Sequence, residues 1–381
     1  MFDLSRAATF AGGPRLGRDP RIDLLRGFAL LTIFIDHVPD NPLSNFTLRN
    51  FGFSDAAELF VILAGVSSMI AYGRIFERDG TRSGLRKVLM RCLRLYVFQV
   101  GLLLTTLVLV HEWREGYGLE TELMQPFYEQ PLTALAHMLT LHALPSSLNI
   151  LPLYILVLGA FPLIYAGMRY APLPTLAVSG GIWLVANLDQ SFNLTNWLDG
   201  QGWYFNPFAW QFLFALGVLG AAMLRANGGE LPRHRLLTAA CWGYLALALL
   251  LAAPWTVWGL SDFRVIAFDS PDKTALSPLR LLDILALTYL ALSSAGLRRL
   301  ADRPWARPMV ACGKHSLEVF SFATLAALLF RLLFYTYGPE WPLQVAVNVV
   351  GLGAMLALGL LLEQQGQGER PAGIVSVRGR A

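Results

Sequence analysis

The chain has 381 residues, of which 55% are hydrophobic and only 15% are charged. Soluble globular proteins carry about 25% charged residues, so this composition excludes a set of ordinary water-soluble domains and makes lipid the expected solvent. The formal net charge is +4, but no basic run is interleaved with exposed aromatic residues, so we exclude nucleic acid as a partner.

Apolar runs separated by proline, glycine and charged residues predict about ten transmembrane helices, because about 20 apolar residues cross the hydrocarbon layer as a helix. In chain order they lie near residues 22–38, 57–73, 89–110, 150–168, 172–188, 207–224, 236–256, 279–297, 309–334 and 342–362. The apolar run from Pro131 to Leu144 is too short to span, so we expect an interfacial or re-entrant helix there. The expected fold is an all-α membrane protein.

Basic residues set the expected orientation, because cytoplasmic loops hold the excess of lysine and arginine. If the N-terminus is inside, 24 of the 30 lysine and arginine residues fall on the inner side. The outer ones are Arg49, Arg114, Arg264, Lys273, Arg280 and Arg331. We therefore expect two cytoplasmic tails, residues 1–20 and 364–381, around one membrane domain, residues 21–363, with the tail from Gln364 disordered.

The first predicted helix carries Arg26 and His37, eleven positions apart. Eleven steps of about 100° end about 20° past three turns, so both side chains project from one face, about 16 Å apart along the axis. An ionisable residue within a membrane helix is costly and is therefore a candidate for function. The alternative is that Arg26 snorkels to the inner surface and His37 caps the outer end before Pro39.

Two carboxylates open the second predicted helix at the depth of His37. Asp55, followed three residues later by Glu58, is typical of a capping box, which needs no catalytic role. Glu58 could cap the helix and still face His37. Asp36 and Asp283 are expected at the same level, so an outer cluster of His37, Asp36, Glu58 and Asp283 is a possible arrangement.

Basic residues collect at the opposite depth. Arg91 and Arg94 begin the third predicted helix and share a face, and guanidinium groups suit phosphates. Lys314 and His315 begin the ninth predicted helix at similar depth and could close the same inner pocket. The alternatives are that these charges follow the positive-inside rule, contact anionic lipid, or pair with one another.

Arg26 with His37 on one helix and Arg91 with Arg94 on another together resemble the paired signature of the acyltransferase family 3 superfamily of membrane acyl-CoA enzymes. Longer stretches resemble the OpgC family, whose founding activity is succinyl transfer to osmoregulated periplasmic glucans. They are residues 21–65, NPFAWQFLFALG at 206–217 and CGKHSLEVFSF at 312–322. The resemblance covers nearly the whole chain, from Arg21 to about Leu362.

The resemblance implies a donor site for acyl-CoA, with succinyl-CoA as the implied donor. Arg91 and Arg94 would hold its phosphates, and Arg26 would be the family partner of the histidine. Lys314 and His315 are our own additions to this cofactor-binding set. We expect no permanently bound cofactor, and no spacing of histidine and carboxylate predicts a metal site.

The resemblance also implies that His37 is the essential histidine of the first helix. We expect it to take the proton from a sugar hydroxyl that attacks the thioester, with Asp36 or Glu58 orienting the ring. A covalent acyl-histidine relay is the alternative route. The acceptor is a periplasmic glucan or other glycan, and the location is the bacterial inner membrane; the sequence identifies no protein partner.

Two other classes of function compete with an acyltransferase. A transporter of a small anionic or glycan-related substrate would also carry polar residues at depth, without bond chemistry. Corresponding interrupted helices in two halves, typical of many transporters, are absent from the sequence. A catalytically silent membrane partner of glycan enzymes is the third class, and it would transfer no label from acyl-CoA.

Overall fold

The structure is a computed structural model that describes residues 17–117, 125–264 and 269–368. Over these ranges the chain is all-helical, as expected, and the one strand-like pairing is an isolated antiparallel bridge between Thr195 and Gly202. Most of both predicted tails lies outside the described residues.

The helices of the described ranges are short connectors or long segments that could span. In chain order they are α1 (Pro20–His37), α2 (Ala56–Arg78), α3 (Gly80–Tyr117), α4 (Gln125–Glu129), α5 (Pro131–Leu139), α6 (Ile150–Tyr170), α7 (Pro172–Leu188), α8 (Pro207–Ala226), α9 (Arg235–Ala252), α10 (Pro278–Leu292), α11 (Ala295–Ala301), α12 (Arg307–Lys314), α13 (Ser316–Tyr337) and α14 (Trp341–Gly368). Helix α2 contains a π turn at Met69–Gly73.

The long helices make this a multi-pass membrane protein. Within the described ranges, 7 helices are long and apolar enough to cross a membrane, namely α2, α3, α6, α8, α9, α13 and α14. Helices α10 and α11 would make one more span if the pair, bent by 73°, is counted together. The predicted total of about ten also counts α7, which is shorter, and α1, whose 18 residues include four charged ones. That total and the orientation stay predictions.

The predicted helix over residues 309–334 is in fact two helices. Its backbone leaves the helical region at His315, with φ −108° and ψ 40°, between α12 and α13. The predicted helix over 279–297 likewise ends at Leu292, where the chain turns into α11. Both breaks fall at short polar runs, Lys314 to Ser316 and Ser293 to Ser294, which the prediction placed inside single helices because longer apolar segments follow or precede them.

Two chain segments differ from the expectation at their ends. The helix predicted between Pro131 and Leu144 ends at Leu139, and Leu141 then adopts a positive φ of 60°. The last helix continues to Gly368, so the expected disorder from Gln364 is wrong for residues 364–368.

Proline and polar caps fix where several helices begin. Pro20, Pro172, Pro207 and Pro278 each open the first turn of a helix, where the missing N–H has no partner to lose. At α8 the side chain of Asn206 also accepts a hydrogen bond from the Phe208 N–H. These signals place the helix starts at the ends of the bundle.

Helices α2 and α8 pack closely at paired glycines. A Cβ atom added at Gly65 would lie 2.2 Å from the carbonyl oxygen of Phe214, and one added at Gly217 would lie 2.2 Å from that of Ile62. Small residues allow such close packing between membrane helices. The start of α2 is therefore held in a fixed position by α8.

Helix α1 is held in the same way by α12. A Cβ atom added at Gly27 would lie 1.9 Å from the carbonyl oxygen of Met309, and one added at Gly313 would lie 1.8 Å from that of Asp23. Neither backbone can move toward the other, and neither glycine can be enlarged without separating the helices.

Replacing Gly217 by alanine is expected to destabilise the protein. The added methyl group must push α2 away from α8, and overpacking of this kind costs about 1 to 3 kcal/mol. Gly220→Ala on the same helix is the matched control, because nothing lies within 4 Å of its added Cβ. The measurement is the thermal midpoint of the purified proteins in detergent. Equal midpoints for the two variants would show that the close approach is not a constraint.

Candidate active site

A cavity of about 790 Å³ lies at the end of the bundle where α1 ends and α2 and α6 begin. We call this the His37 end. Loops before α8 and α10 and one face of α13 complete its walls. The polar lining consists of Asp36, His37, Arg49, Asp55, Ser147, Asn149, Asn196, Asp199, Gln201, Tyr204, Lys273, Thr274, Thr324 and Arg331. Concave sites with convergent polar groups of this kind are typical ligand sites.

The tautomer of His37 follows from one hydrogen bond. Its Nδ1 lies 2.7 Å from the carbonyl oxygen of Ile33, one turn earlier on α1. A carbonyl oxygen can only accept, so Nδ1 carries the proton of the neutral ring and Nε2 carries the lone pair. Since His37 lines the cavity, the ring supplies a proton acceptor there.

Asp36 also lines the cavity, but its partners are not His37. Its carboxylate accepts a hydrogen bond of 2.7 Å from the Thr47 hydroxyl and lies 3.5 Å from Arg49. The expectation that Asp36 orients the histidine ring is therefore not met in this structure. The hydrogen bond that orients the His37 ring is made with the Ile33 carbonyl instead.

A buried ionic network joins the start of α2 to α10 and to the loop before it. Arg280 donates to Glu58 at 2.6 Å and to Asp55 at 3.1 Å, and Lys273 forms an ion pair with Asp55. Two carboxylates are thus matched by two cations. We call these four residues the α2–α10 network.

Within the network, Asp55 and Lys273 sustain each other's charge. Burial opposes the ionisation of Asp55, but Lys273 and Arg280 outweigh burial and hold the pKa of that carboxyl well below its usual range. Burial also opposes the charge of Lys273, and Asp55 and Glu58 nevertheless raise the pKa of its ammonium. Both groups are therefore charged at neutral pH.

Glu58 is where the expected catalytic cluster differs most from the structure. The predicted capping box is present, since the Glu58 carboxylate accepts from the Asp55 N–H. Glu58 is fully buried, belongs to the α2–α10 network and is not among the residues that line the cavity. Asp283 accepts from Ser54 and is also outside the lining. Of the predicted cluster, the structure brings only Asp36 and His37 to the cavity, and Asp55 takes the place given to Glu58.

Sequence reasoning missed several lining residues from the loops. Asn149 precedes α6, while Asn196, Asp199, Gln201 and Tyr204 lie between α7 and α8. The acidic and aromatic character of that loop was a weak signal, because it marked the segment without identifying the side chains that turn inward. Amide, carboxylate and phenol groups together suit a ligand with many hydroxyls.

The predicted donor residues lie at the opposite end of the bundle, which we call the Arg91 end. Arg26 and Arg91 both act electrostatically on the hydroxyl of Tyr72. The buried Nε of Arg26 has no hydrogen-bond partner among the described residues. Arg94 instead forms an ion pair with Glu318 on α13 and lies over the ring of Phe98.

Among the described residues, no ion pair joins Lys314 or His315 to Arg91 or Arg94. Lys314 donates to Glu363 on α14 at 2.6 Å, and Arg307 contacts the same carboxylate. His315 occupies the break between α12 and α13. We expected Lys314 and His315 to close one inner pocket with the arginines, but direct contacts between them are not seen. Among the described residues, no group of three or more histidine, cysteine, aspartate or glutamate side chains could hold a metal ion.

The fold and the cavity define a multi-pass helical membrane protein with a polar site at one end of its bundle. The family model described as OpgC protein matches residues 18–367. The chain therefore belongs to the OpgC family. A search of curated proteins found no match. Family membership supports a transferase that takes part in the modification of a glucan.

Removing Arg280 is expected to unfold the His37 end. Arg280→Gln leaves Glu58 buried without its cation, and breaking a buried ion pair from one side costs about 3 to 5 kcal/mol. The double variant Arg280→Gln with Glu58→Gln should regain part of the loss, because no uncompensated carboxylate then remains at Glu58. The measurement is thermal stability in detergent.

Arg264→Gln is the control for this experiment. Arg264 is exposed and pairs with the exposed Asp262, and exposed pairs contribute little. We expect no measurable change. A loss in Arg264→Gln equal to that in Arg280→Gln would contradict the assignment.

Proposed function

We propose that the protein is a membrane-bound O-acyltransferase that moves a succinyl group from acyl-CoA to a hydroxyl of a periplasmic glucan. The observation that carries this proposal is the placement of His37. His37 lines a polar cavity of about 790 Å³, and its Nε2 is the basic nitrogen of the ring. Membership of the OpgC family supports the glucan as acceptor.

The proposed location is the bacterial inner membrane, with about ten spanning helices and both termini in the cytoplasm. The excess of basic residues at the Arg91 end supports this orientation. It would turn the cavity toward the periplasm, where the glucan is. The Arg91 end would then face the cytoplasm, where acyl-CoA is.

The donor would bind at the Arg91 end through its phosphates. Arg26 and Arg91 both act electrostatically on Tyr72, and the Nε of Arg26, which has no partner among the described residues, is a free donor for an anionic oxygen. Arg94 would exchange its contact with Glu318 for a phosphate. Lys314 is left out of the proposed donor site, since Glu363 already neutralises it.

In the proposed reaction, His37 Nε2 accepts the proton of the attacking sugar hydroxyl. A bond forms between the sugar oxygen and the acyl carbon, and the bond from that carbon to sulfur breaks. The leaving thiolate takes the proton from the imidazolium, so the ring returns to its starting form. A positioned base of this kind contributes about 100-fold to 10,000-fold.

The proposal is tested with purified protein, succinyl-CoA labelled in the succinyl group, and periplasmic glucan. Label should appear on the glucan as an ester, and free thiol should appear in equal amount. A transporter or a silent partner of other enzymes would give neither product. Absence of both from well-folded protein would therefore contradict an acyltransferase.

His37→Ala is expected to lower transfer at least about 100-fold, because the base is removed. His37→Gln should fail as well, since an amide keeps a hydrogen bond but does not accept the proton. His234→Ala is the control, because this histidine is exposed and lies outside the cavity. Near-normal transfer by folded His37→Ala would leave helix capping as the role of this residue.

Replacing Arg91 and Arg94 by glutamine is expected to raise the KM for acyl-CoA by about tenfold or more, because each charge-assisted phosphate contact contributes about 1.5 to 3 kcal/mol. The turnover number should change less. Arg86→Gln, an exposed position earlier on α3, is the matched control. Unchanged donor KM in the double variant would leave these arginines as topology signals.

A further inference from the structure

Two of the cationic side chains that line the cavity are already paired with carboxylates. Arg49 Nε lies 3.5 Å from Asp36, and Lys273 forms an ion pair with Asp55. Arg331 also lines the cavity, yet it makes no ion pair or hydrogen bond with any residue that the structure describes. Among the described residues that line the cavity, its guanidinium is therefore the positive charge that is available to a ligand.

Arg331 lies on the face of α13 that forms a wall of the cavity. Phe320, Ala323 and Thr324 line the cavity from the same helix. Arg331 follows Phe320 by eleven residues, which returns it to within about 20° of the same direction. Its charge also acts on the ring of His37. Arg331 and the proposed base thus face one space from two different helices.

The charges of the lining indicate which ligand Arg331 suits. Asp36, Asp55 and Asp199 would repel an anion, and the first two already neutralise the neighbouring cations. An anionic group could enter only beside a cation that is still unpaired. A guanidinium presents a planar fork of donors that matches a carboxylate.

A dicarboxylic acyl group differs from a neutral acyl group of equal length by one free carboxylate. We propose that Arg331 binds this free carboxylate while the thioester carbonyl lies at His37, and that Arg331 thereby selects dicarboxylic over neutral acyl groups. This inference rests on the proposed function and adds a specificity-determining residue to it.

Sequence position alone favours other residues for this role. Arg49, Arg264 and Lys273 are outer basic residues in loops, where a selecting charge would be sought first. The structure pairs each of them with an aspartate, and Arg264 lies outside the cavity. Arg331 instead lies within an apolar helical run.

The test compares two donors of equal carbon length, succinyl-CoA and butyryl-CoA, with the same glucan. In Arg331→Met, kcat/KM for succinyl-CoA should fall by about tenfold or more, as expected when a charge-assisted contact is lost. The value for butyryl-CoA should stay equal or rise. Arg331→Lys should keep part of the preference, because it keeps the charge and loses the fork. Arg264→Gln is the control and should keep the parent ratio.

The ratio of the two kcat/KM values does not depend on how much of a preparation is folded. An equal fall with both donors in Arg331→Met and Arg331→Lys would overturn the role of Arg331 while leaving the acyltransferase in place. A parent protein that transfers neither group would instead contradict the proposed function itself. A fall confined to succinyl-CoA supports the assignment.

Discussion

The α2–α10 network is the interaction on which the architecture of the His37 end depends. Glu58 and Asp55 are buried at the start of α2, and a buried carboxylate is tolerated only when it is matched and hydrogen-bonded. Arg280 and Lys273 provide that match from a segment more than 200 residues away in sequence. The network closes the bundle beside the cavity and leaves Asp36 and His37 on the open side.

Sequence reasoning predicted the features that depend on local sequence pattern. Hydropathy placed the helices, and the spacing of Asp55 and Glu58 predicted the capping box that the structure contains. It assigned Glu58 to the wrong partner, because Arg280 reaches it through tertiary packing that no local spacing records. The helix break at His315 was missed because the polar residues Lys314 and His315 were placed inside one predicted helix, and sequence pattern does not record a change of backbone direction.

The two ends of the bundle handle charge differently. At the His37 end, most charges are matched within the protein, so a guanidinium on α13 with no partner among the described residues is conspicuous. At the Arg91 end, Arg26 and Arg91 act electrostatically on Tyr72 and one buried guanidinium nitrogen is left without a described partner. The position of an arginine in the sequence could not distinguish paired from unpaired arginines. In a count of basic residues, an arginine in a loop and an arginine in a helix each count as one.

Helix α1 carries both Arg26 and His37, and at Gly27 and Gly313 its backbone lies too close to that of α12 for a larger side chain to fit. Eleven helical steps separate Arg26 and His37 by about 16 Å along the helix axis. In the proposed reaction, a donor held at Arg26 has this distance to cover before its acyl carbon reaches His37. The donor must bring its own flexible arm of matching length, so a thiol carrier with a shorter arm would bind and yet leave its acyl carbon short of the base.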